Sequence, residues 1–154
     1  MTFKIHKTNV ITAIIGLAMF VIAALLTSQA HAQEVNVGPS ETAGTQSVVR
    51  DQLNAFKAGD TLRAYSHAAP NVKKIFPSVD RFSSMVKQGY GAIWQSDSFV
   101  FGRNTIVNNE IYQEVIITDP SGKQWQAVYT LKQQEDGSWK ITGVKMDPYR
   151  GATT

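Results

Sequence analysis

The sequence predicts an α+β domain in which N-terminal helices pack on one face of an antiparallel sheet of about four strands. A change of period along the chain leads to this prediction. Before about residue 95 the apolar residues recur with the 3.6-residue period of a helix, and after it they alternate with the two-residue period of a strand. The composition is that of a globular protein, since 43% of the 154 residues are hydrophobic and 18% are charged.

Two helical segments open the predicted domain. The apolar residues of the first fall at i, i+4 and i+7 on one face: Val49, Leu53 and Phe56. Gly59 ends this helix, and Asp60 is placed to cap the next one through its carboxylate. The second helix carries Leu62 and ends at Pro70, because proline cannot continue a helix.

A third helix follows a short apolar turn. The turn contains Val72, Ile75 and Phe76 and is closed by Pro77. Ser78 is a favourable N-terminal cap for the helix after it. The apolar face of this helix carries Phe82, Met85 and Val86. All three predicted helices therefore precede the strands.

Four alternating segments predict the strands of the sheet. The first contains Phe99 and Phe101, and the others lie at about 111–117, 125–131 and 139–141. Residues 119–122 and the pair Asp136-Gly137 supply turns between consecutive strands. Gly143 lies in the last strand, where it predicts a β-bulge.

The first 32 residues have the pattern of a secretory signal peptide. Lys4 and Lys7 precede an almost wholly apolar run at 10–26, and an Ala-His-Ala sequence ends at Ala32. A positive start, an apolar middle and small residues before the cut are the features of such a peptide. We therefore expect cleavage after Ala32, which leaves Gln33 as the first residue of an exported, periplasmic or secreted chain. The alternative is an N-terminal membrane anchor, because the apolar run is near the shortest length that spans a bilayer.

Charge and cysteine content exclude several classes of protein. The chain contains no cysteine, which excludes thiol catalysis, thiolate metal sites and lipid attachment through cysteine. Removal of the signal peptide takes away Lys4 and Lys7 but no acidic residue, so the net charge falls from +3 to +1. The remaining basic residues form no stripe, and nucleic acid is therefore not an expected partner.

The predicted organisation of the chain has four parts. They are a signal peptide at 1–32, a flexible spacer at 33–45, the α+β domain at 46–148 and a C-terminal tail at 149–154. The spacer is predicted because its residues are small and polar and include the sequence Gly-Pro-Ser at 38–40.

Three segments of the domain resemble a bacterial family known as domain of unknown function 4864. Gln52-Leu53-x-Ala55-Phe56 resembles its first helix, Phe82-x-x-Met85-Val86-x-x-Gly89-Tyr90 its middle helix, and Asp136-Gly137-Ser138-Trp139-Lys140-Ile141 its last hairpin. The resemblance extends from about residue 46 to residue 146. It implies a fold like nuclear transport factor two, a cone in which a curved antiparallel sheet wraps around helices. It implies no activity and no functional residue, because that family is uncharacterised.

The sequence predicts neither a metal site nor a cofactor. His67 is the only histidine after the predicted cleavage site, so no histidine pair exists for zinc, and the acidic residues are dispersed. There is no P-loop and no Gly-x-Ser-x-Gly sequence. Gly89-Tyr90-Gly91 lacks the third glycine of a dinucleotide-binding loop, because Trp94 stands in its place.

His67 is the single candidate for catalysis, because an imidazole exchanges protons near neutral pH. A catalytic role requires a carboxylate beside it and an open cavity. The alternative is a partly exposed histidine near the end of the second helix, where the helix dipole favours a positive charge.

Six residues are candidates for a ligand-binding site. They are Tyr65, Tyr90, Trp94, Gln113, Trp125 and Tyr129. Aromatic walls with a few polar groups are typical of small-molecule pockets. The alternative is that the aromatic residues pack in the core and that Gln113 forms hydrogen bonds with the edge of a strand.

Three interpretations of function follow from these observations. The first is an exported module without catalytic activity that binds a small ligand or an envelope protein. The second is a small enzyme of the lyase or isomerase type that uses His67 or a carboxylate inside the cone. The third is a structural homodimer formed through the open face of the sheet, where Ile116 and Val128 are apolar among polar neighbours.

Overall fold

The computed structural model describes residues 36–151. The predicted signal peptide, the cleavage site between Ala32 and Gln33, the start of the predicted spacer and the last three residues of the tail lie outside the described residues. The helices within 36–151 are α1 (Pro39–Lys57), α2 (Thr61–Ser66), α3 (Pro70–Ile75), α4 (Val79–Gly89) and α5 (Gly91–Trp94). The strands are β1 (Ser98–Val107), β2 (Glu110–Thr118), β3 (Gln124–Gln133) and β4 (Trp139–Pro148). No helix in this part of the chain is both long and apolar enough to cross a membrane.

Helix α1 begins at Pro39, so residues 39–45 of the predicted flexible spacer are helical and that part of the prediction is wrong. Proline is favourable at the first helical position, where no N–H is needed. The Glu41 carboxylate accepts a hydrogen bond of 3.0 Å from the backbone N–H that precedes the helix. A side chain at Gly44 would come within 3.0 Å of Trp139, so glycine allows this end of α1 to approach β4.

The other helices follow the predicted pattern with two additions. Asp60 caps α2 and Ser78 caps α4, each by accepting a hydrogen bond from the backbone N–H three residues later. The segment predicted as an apolar turn instead forms α3, in which none of the six residues is buried. The connection to the sheet contains the additional short helix α5.

The four strands form one antiparallel sheet in the order β1-β2-β3-β4, which confirms the predicted fold class. The turn between β1 and β2 contains Asn108 and Asn109, both with positive φ. Gly122 and Gly137 take positive φ in the next two turns, where glycine carries no steric penalty.

Two irregularities bend the sheet. In β1, Gly102 and Arg103 lie opposite the single residue Glu114. In β4, Thr142 is the extra residue before Gly143, which confirms the bulge predicted there. Such bulges bend the strand that carries them and increase its local twist.

The segment that follows α2 covers part of the outer edge of β4. The Ile141 N–H donates to the His67 carbonyl oxygen at 2.8 Å, and the Ala69 N–H donates to the Ile141 carbonyl oxygen at 2.9 Å. Ala68 thereby forms a parallel bridge with Ile141. This contact fixes the start of α3 against the last strand.

The core lies between the helices and the inner face of the sheet, where alternate residues of β2 and β3 are buried. The buried residues of this layer include Val49, Leu53, Phe56, Val115, Ile117, Ala127 and Leu131. One end of the same layer is incompletely filled, and a cavity opens there.

Candidate functional site

The cavity has a volume of about 370 Å³ and lies between α3, α4 and β4. It is lined by Gln52, Phe56, Ala68, Asn71, Val72, Ile75, Phe76, Phe82, Met85, Val86, Tyr90, Ile93, Tyr129, Ile141, Thr142, Gly143 and Val144. This volume lies within the usual range for small-molecule sites and is more than twice the roughly 150 Å³ that accommodates benzene. Because benzene has six carbon atoms, the same ratio of volume to atoms predicts room here for a molecule of about 15 non-hydrogen atoms.

The cavity runs from an exposed rim to a buried floor. Asn71 and Ile75 on α3 form the rim, and Ile75 is 68% exposed although it is apolar. Phe56, Phe82 and other floor residues are buried. This arrangement leaves a route past α3 for an apolar molecule, whose surface would leave water and contact the apolar side chains of the floor.

The shape of the cavity follows from a local feature of the sequence. Helix α3 begins at Pro70, is followed by Pro77 and has no buried side chain, so it covers the cavity without filling it. This short helix leaves space that a longer helix would close.

Several polar groups of the wall already have protein partners. The Asn71 amide donates to the Thr142 carbonyl oxygen at 2.9 Å, and the Tyr90 hydroxyl donates to the Val144 carbonyl oxygen at 3.2 Å. The Gln52 amide nitrogen donates to a backbone carbonyl of α2 at 3.2 Å. No charged side chain lines the cavity within residues 36–151.

Tyr129 is the polar residue of the wall that lacks a partner. Its side chain is 0% exposed, and its hydroxyl makes no hydrogen bond to any part of the described chain. Burial raises the pKa of this phenol above its ordinary value, so the hydroxyl stays protonated and remains a donor.

The structure places two of the six predicted ligand-binding residues, Tyr90 and Tyr129, in this wall. Tyr65 and Trp94 pack beside it and do not line it. Tyr65 lies 5.2 Å from the Phe82 ring and donates to the Phe76 carbonyl oxygen at 2.6 Å. Trp94 lies 5.3 Å from the Phe56 ring, so both residues support the cavity walls from behind.

Gln113 lies outside the cavity, although it is fully buried on the inner face of the sheet. Its amide nitrogen donates to the carbonyl oxygens of Gly102 at 3.2 Å and of Glu114 at 2.9 Å. The β1 bulge leaves backbone carbonyls without a ladder partner, and this amide supplies a donor to them. Gln113 therefore provides hydrogen bonds to backbone groups of a strand, as in the alternative to ligand binding given above.

Trp125 also lies away from the cavity, near the opposite end of β3. Its indole N–H donates to the Asp119 carboxylate at 2.9 Å, and the Lys123 ammonium lies 4.0 Å from the centre of a ring. Hydrogen bonds from Ser121 and from Trp125 lower the pKa of Asp119 to about 2. These contacts anchor the turn between β2 and β3.

His67 is paired with a carboxylate, but neither of them lines the cavity. Its Nε2 lies 2.6 Å from Asp51 Oδ2, and Arg63 also donates to the same carboxylate through two nitrogens. The hydrogen bonds from Arg63, with a smaller contribution from His67, lower the pKa of Asp51. The Asp51 carboxylate therefore holds together a surface cluster, defined here as Asp51, Arg63 and His67.

Sequence reasoning assigns most of the cavity floor to the core, because Phe56, Phe82, Met85 and Val86 lie on the apolar faces of their helices. One signal points to open space, and it is the short apolar segment between Pro70 and Pro77.

The predicted homodimer face is on the other side of the sheet. Ile116 pairs with Val100, which is exposed, and Val128 pairs with Glu114 on the neighbouring strand. Homodimer formation stays a prediction.

Within the described range, no group of three or more acidic or histidine residues is placed to hold a metal ion.

Comparison with protein families identifies the domain. A profile of the family described as Domain of unknown function (DUF4864) matches residues 39–154. The chain belongs to this family. The match begins at the first residue of α1, so the whole of that helix is part of the DUF4864 domain. No functionally curated protein matches the chain.

A similar solved structure shows the same fold as this DUF4864 domain. An NTF-2-like protein of unknown function from Silicibacter pomeroyi is 18% identical, has a TM-score of 0.51, and is matched over 73% of this chain and 100% of its own. Another, from Shewanella baltica, is 15% identical with a TM-score of 0.49, over 74% of this chain and 100% of its own. The first likeness confirms the predicted cone fold of the nuclear transport factor two type.

Proposed function

We propose that this DUF4864 domain is an exported module that binds a small, uncharged and largely apolar molecule in the cavity between α3, α4 and β4. The observation that carries the proposal is the wall itself, which combines about 370 Å³ of space with apolar side chains and no charged group from the described chain. Burial of an ionised ligand there would cost several kcal/mol, because no opposite charge compensates it.

The catalytic alternative has weaker support. A lyase or isomerase needs an acid or base within hydrogen-bonding reach of its substrate. His67 and Asp51 belong to the surface cluster, and the described chain contributes no carboxylate to the cavity wall. Binding without acid–base chemistry therefore fits the geometry better.

Fluorescence of N-phenyl-1-naphthylamine tests the binding proposal, because this neutral apolar probe brightens on leaving water. We expect the domain to bind it with a Kd on the order of 10 μM. Val144→Phe should weaken binding about tenfold or more, because Val144 lines the cavity on the face of β4 that is paired with the buried Tyr129, and the larger side chain occupies cavity space.

The matched control is Val100→Phe. Val100 is likewise a strand valine, but it is exposed on β1 and lies outside the cavity wall. This variant should bind the probe like the unsubstituted domain. Absence of probe binding to the unsubstituted domain, or equal weakening by the two phenylalanine variants, would contradict a site in this cavity.

Export is the second part of the proposal, and it is supported by the charged, apolar and Ala-His-Ala segments of residues 1–32. Intact-mass spectrometry of the protein recovered from the exported fraction tests it. We expect a chain that begins at Gln33. A chain that keeps residues 10–26 and stays in the membrane fraction would instead support the anchor alternative.

A further inference from the structure

We infer that the ligand of this domain is an uncharged amphiphile, whose apolar chain lies in the cavity and whose hydrogen-bonding head lies in a groove between α3 and α4. This inference rests on the proposed binding function and names the chemical class of the ligand. The polar side of the α3–α4 groove is formed by Asp80, Arg81, Ser84 and Gln88. Its apolar side is formed by Ile75, Phe76 and Met85, which also line the cavity. The two spaces therefore adjoin.

The junction of α3 and α4 is the least closed side of the cavity. The Asn71 amide joins α3 to the Thr142 carbonyl oxygen of β4. The Tyr90 hydroxyl joins the end of α4 to the Val144 carbonyl oxygen of the same strand. Within residues 36–151, no hydrogen bond links α3 to α4. Because the floor is buried, a ligand longer than the cavity extends through this junction into the α3–α4 groove.

Helix α4 supplies a row of polar side chains to the groove. Asp80, Ser84 and Gln88 follow one another at four-residue intervals, which places them along one line of the helix surface. Arg81 lies beside this row, and all four residues are exposed. Their side chains form no hydrogen bond or ion pair with any residue of the described chain. Their hydrogen-bonding capacity is thus left to solvent or to a ligand.

The wall changes from apolar to polar within one turn of α4. Phe82 and Val86 line the cavity and not the groove. Ser84 and Gln88 line the groove and not the cavity, and Met85 lines both. A wholly polar molecule would lose its contacts with water inside the cavity without replacing them. A molecule with an apolar part joined directly to a polar part matches this boundary on both sides.

The charges of the groove favour a head without net charge. Asp80 and Arg81 contribute one charge of each sign, so a charged head meets a like charge next to its partner. An ion pair with either exposed side chain also contributes little in water. A hydroxyl group, in contrast, donates to Asp80, accepts from Arg81 and does either with Ser84 and Gln88. A head with several hydroxyl groups, as in a glycoside or a glycerol ester, fits this set.

Displacement of N-phenyl-1-naphthylamine by octyl β-D-glucopyranoside, below its critical micelle concentration, tests this inference. Its eight-carbon chain is within the room for about 15 atoms that the cavity offers. It should bind on the order of tenfold more tightly than hexyl β-D-glucopyranoside, because two further CH₂ groups leave water. Octyl sulfate and octyltrimethylammonium carry the same chain. Each should bind more weakly than the octyl glucoside, because Asp80 repels the first and Arg81 the second.

Two double variants separate the head from the chain. Ser84→Ala with Gln88→Ala removes two hydrogen-bonding groups from the groove, which should weaken binding of octyl β-D-glucopyranoside about tenfold and that of the probe by less than about twofold. The matched control is Gln95→Ala with Ser98→Ala, at exposed positions outside the cavity and the groove, and it should change neither affinity. Val144→Phe should weaken both, because it fills the space that the chain and the probe share.

Thermal unfolding midpoints of the two double variants should stay close to that of the unsubstituted domain, because all four positions are exposed. An octyl glucoside that does not displace the bound probe, or that loses equal affinity in the two double variants or none in either, overturns the inference while the cavity proposal stands. Tighter binding of octyl sulfate or octyltrimethylammonium overturns the uncharged head in the same way. Failure of the probe itself to bind the unsubstituted domain overturns the cavity proposal, and the inference with it.

Discussion

Replacement of Leu53 by alanine is expected to lower the free energy of unfolding by about 2–5 kcal/mol, the usual range for a buried leucine. Leu53 is 0% exposed on the face of α1 that packs against the sheet. The substitution removes buried apolar surface and leaves a void that the surrounding strands can fill only partly. Urea denaturation followed by circular dichroism measures the change.

Leu62 on α2 provides the matched control, because it undergoes the same substitution with 69% of its surface exposed. Leu62→Ala should change the free energy of unfolding by no more than about 0.5 kcal/mol. Comparable losses at the two positions would mean that Leu62 is covered by a partner or that the packing of α1 differs from the structure described above.

Trp125→Ala is expected to destabilise the domain by about 2 kcal/mol without changing the affinity for N-phenyl-1-naphthylamine. The ring is half-buried at the edge of the core, so its loss should cost less than the 3–5 kcal/mol of a fully buried tryptophan. The loss includes the hydrogen bond to Asp119 and the contact with Lys123. Binding is unaffected because Trp125 lies outside the cavity wall.

Trp125→Phe retains part of the ring while removing the indole N–H. It keeps one aromatic ring against the core and loses the bond to Asp119 together with some ring surface, which should cost about 1–2 kcal/mol. Urea denaturation midpoints of both variants measure the loss of stability, and titrations with N-phenyl-1-naphthylamine measure the affinity. Weaker probe binding by a folded Trp125→Ala domain would place Trp125 in the ligand site, as the sequence alone suggests.

Much of the sheet could be predicted from the sequence because its signals are local. Alternation at 111–117 and 125–131 follows directly from a strand with one face buried, and the turn residues between strands carry their own conformational preferences. The bulge at Gly143 was predictable for the same reason. The start of α1 was not, because Gly44 resembles a linker residue until the ring of Trp139, distant in sequence, is placed against it.

The candidate site was harder to predict because it depends on distances across the fold. Trp125 and Tyr129 share one face of β3, but four residues of extended chain separate them by about 13 Å. Only Tyr129 reaches the cavity end of the sheet. Gln113 is buried on the inner face of the sheet, yet an irregularity in the neighbouring strand determines what it binds.

The pairing of the segment after α2 with Ile141 also bears on how the protein avoids self-association through its strand edges. An open edge offers free N–H and C=O groups to any other extended chain and is a common starting point for aggregation. Here residues 67–69 occupy part of the β4 edge, and the bulge at Gly102 and Arg103 interrupts the ladder of β1 at the opposite edge. Each border of the sheet thus contains its own obstacle to the addition of a foreign strand, which suits a domain that has no disulfide to hold it closed.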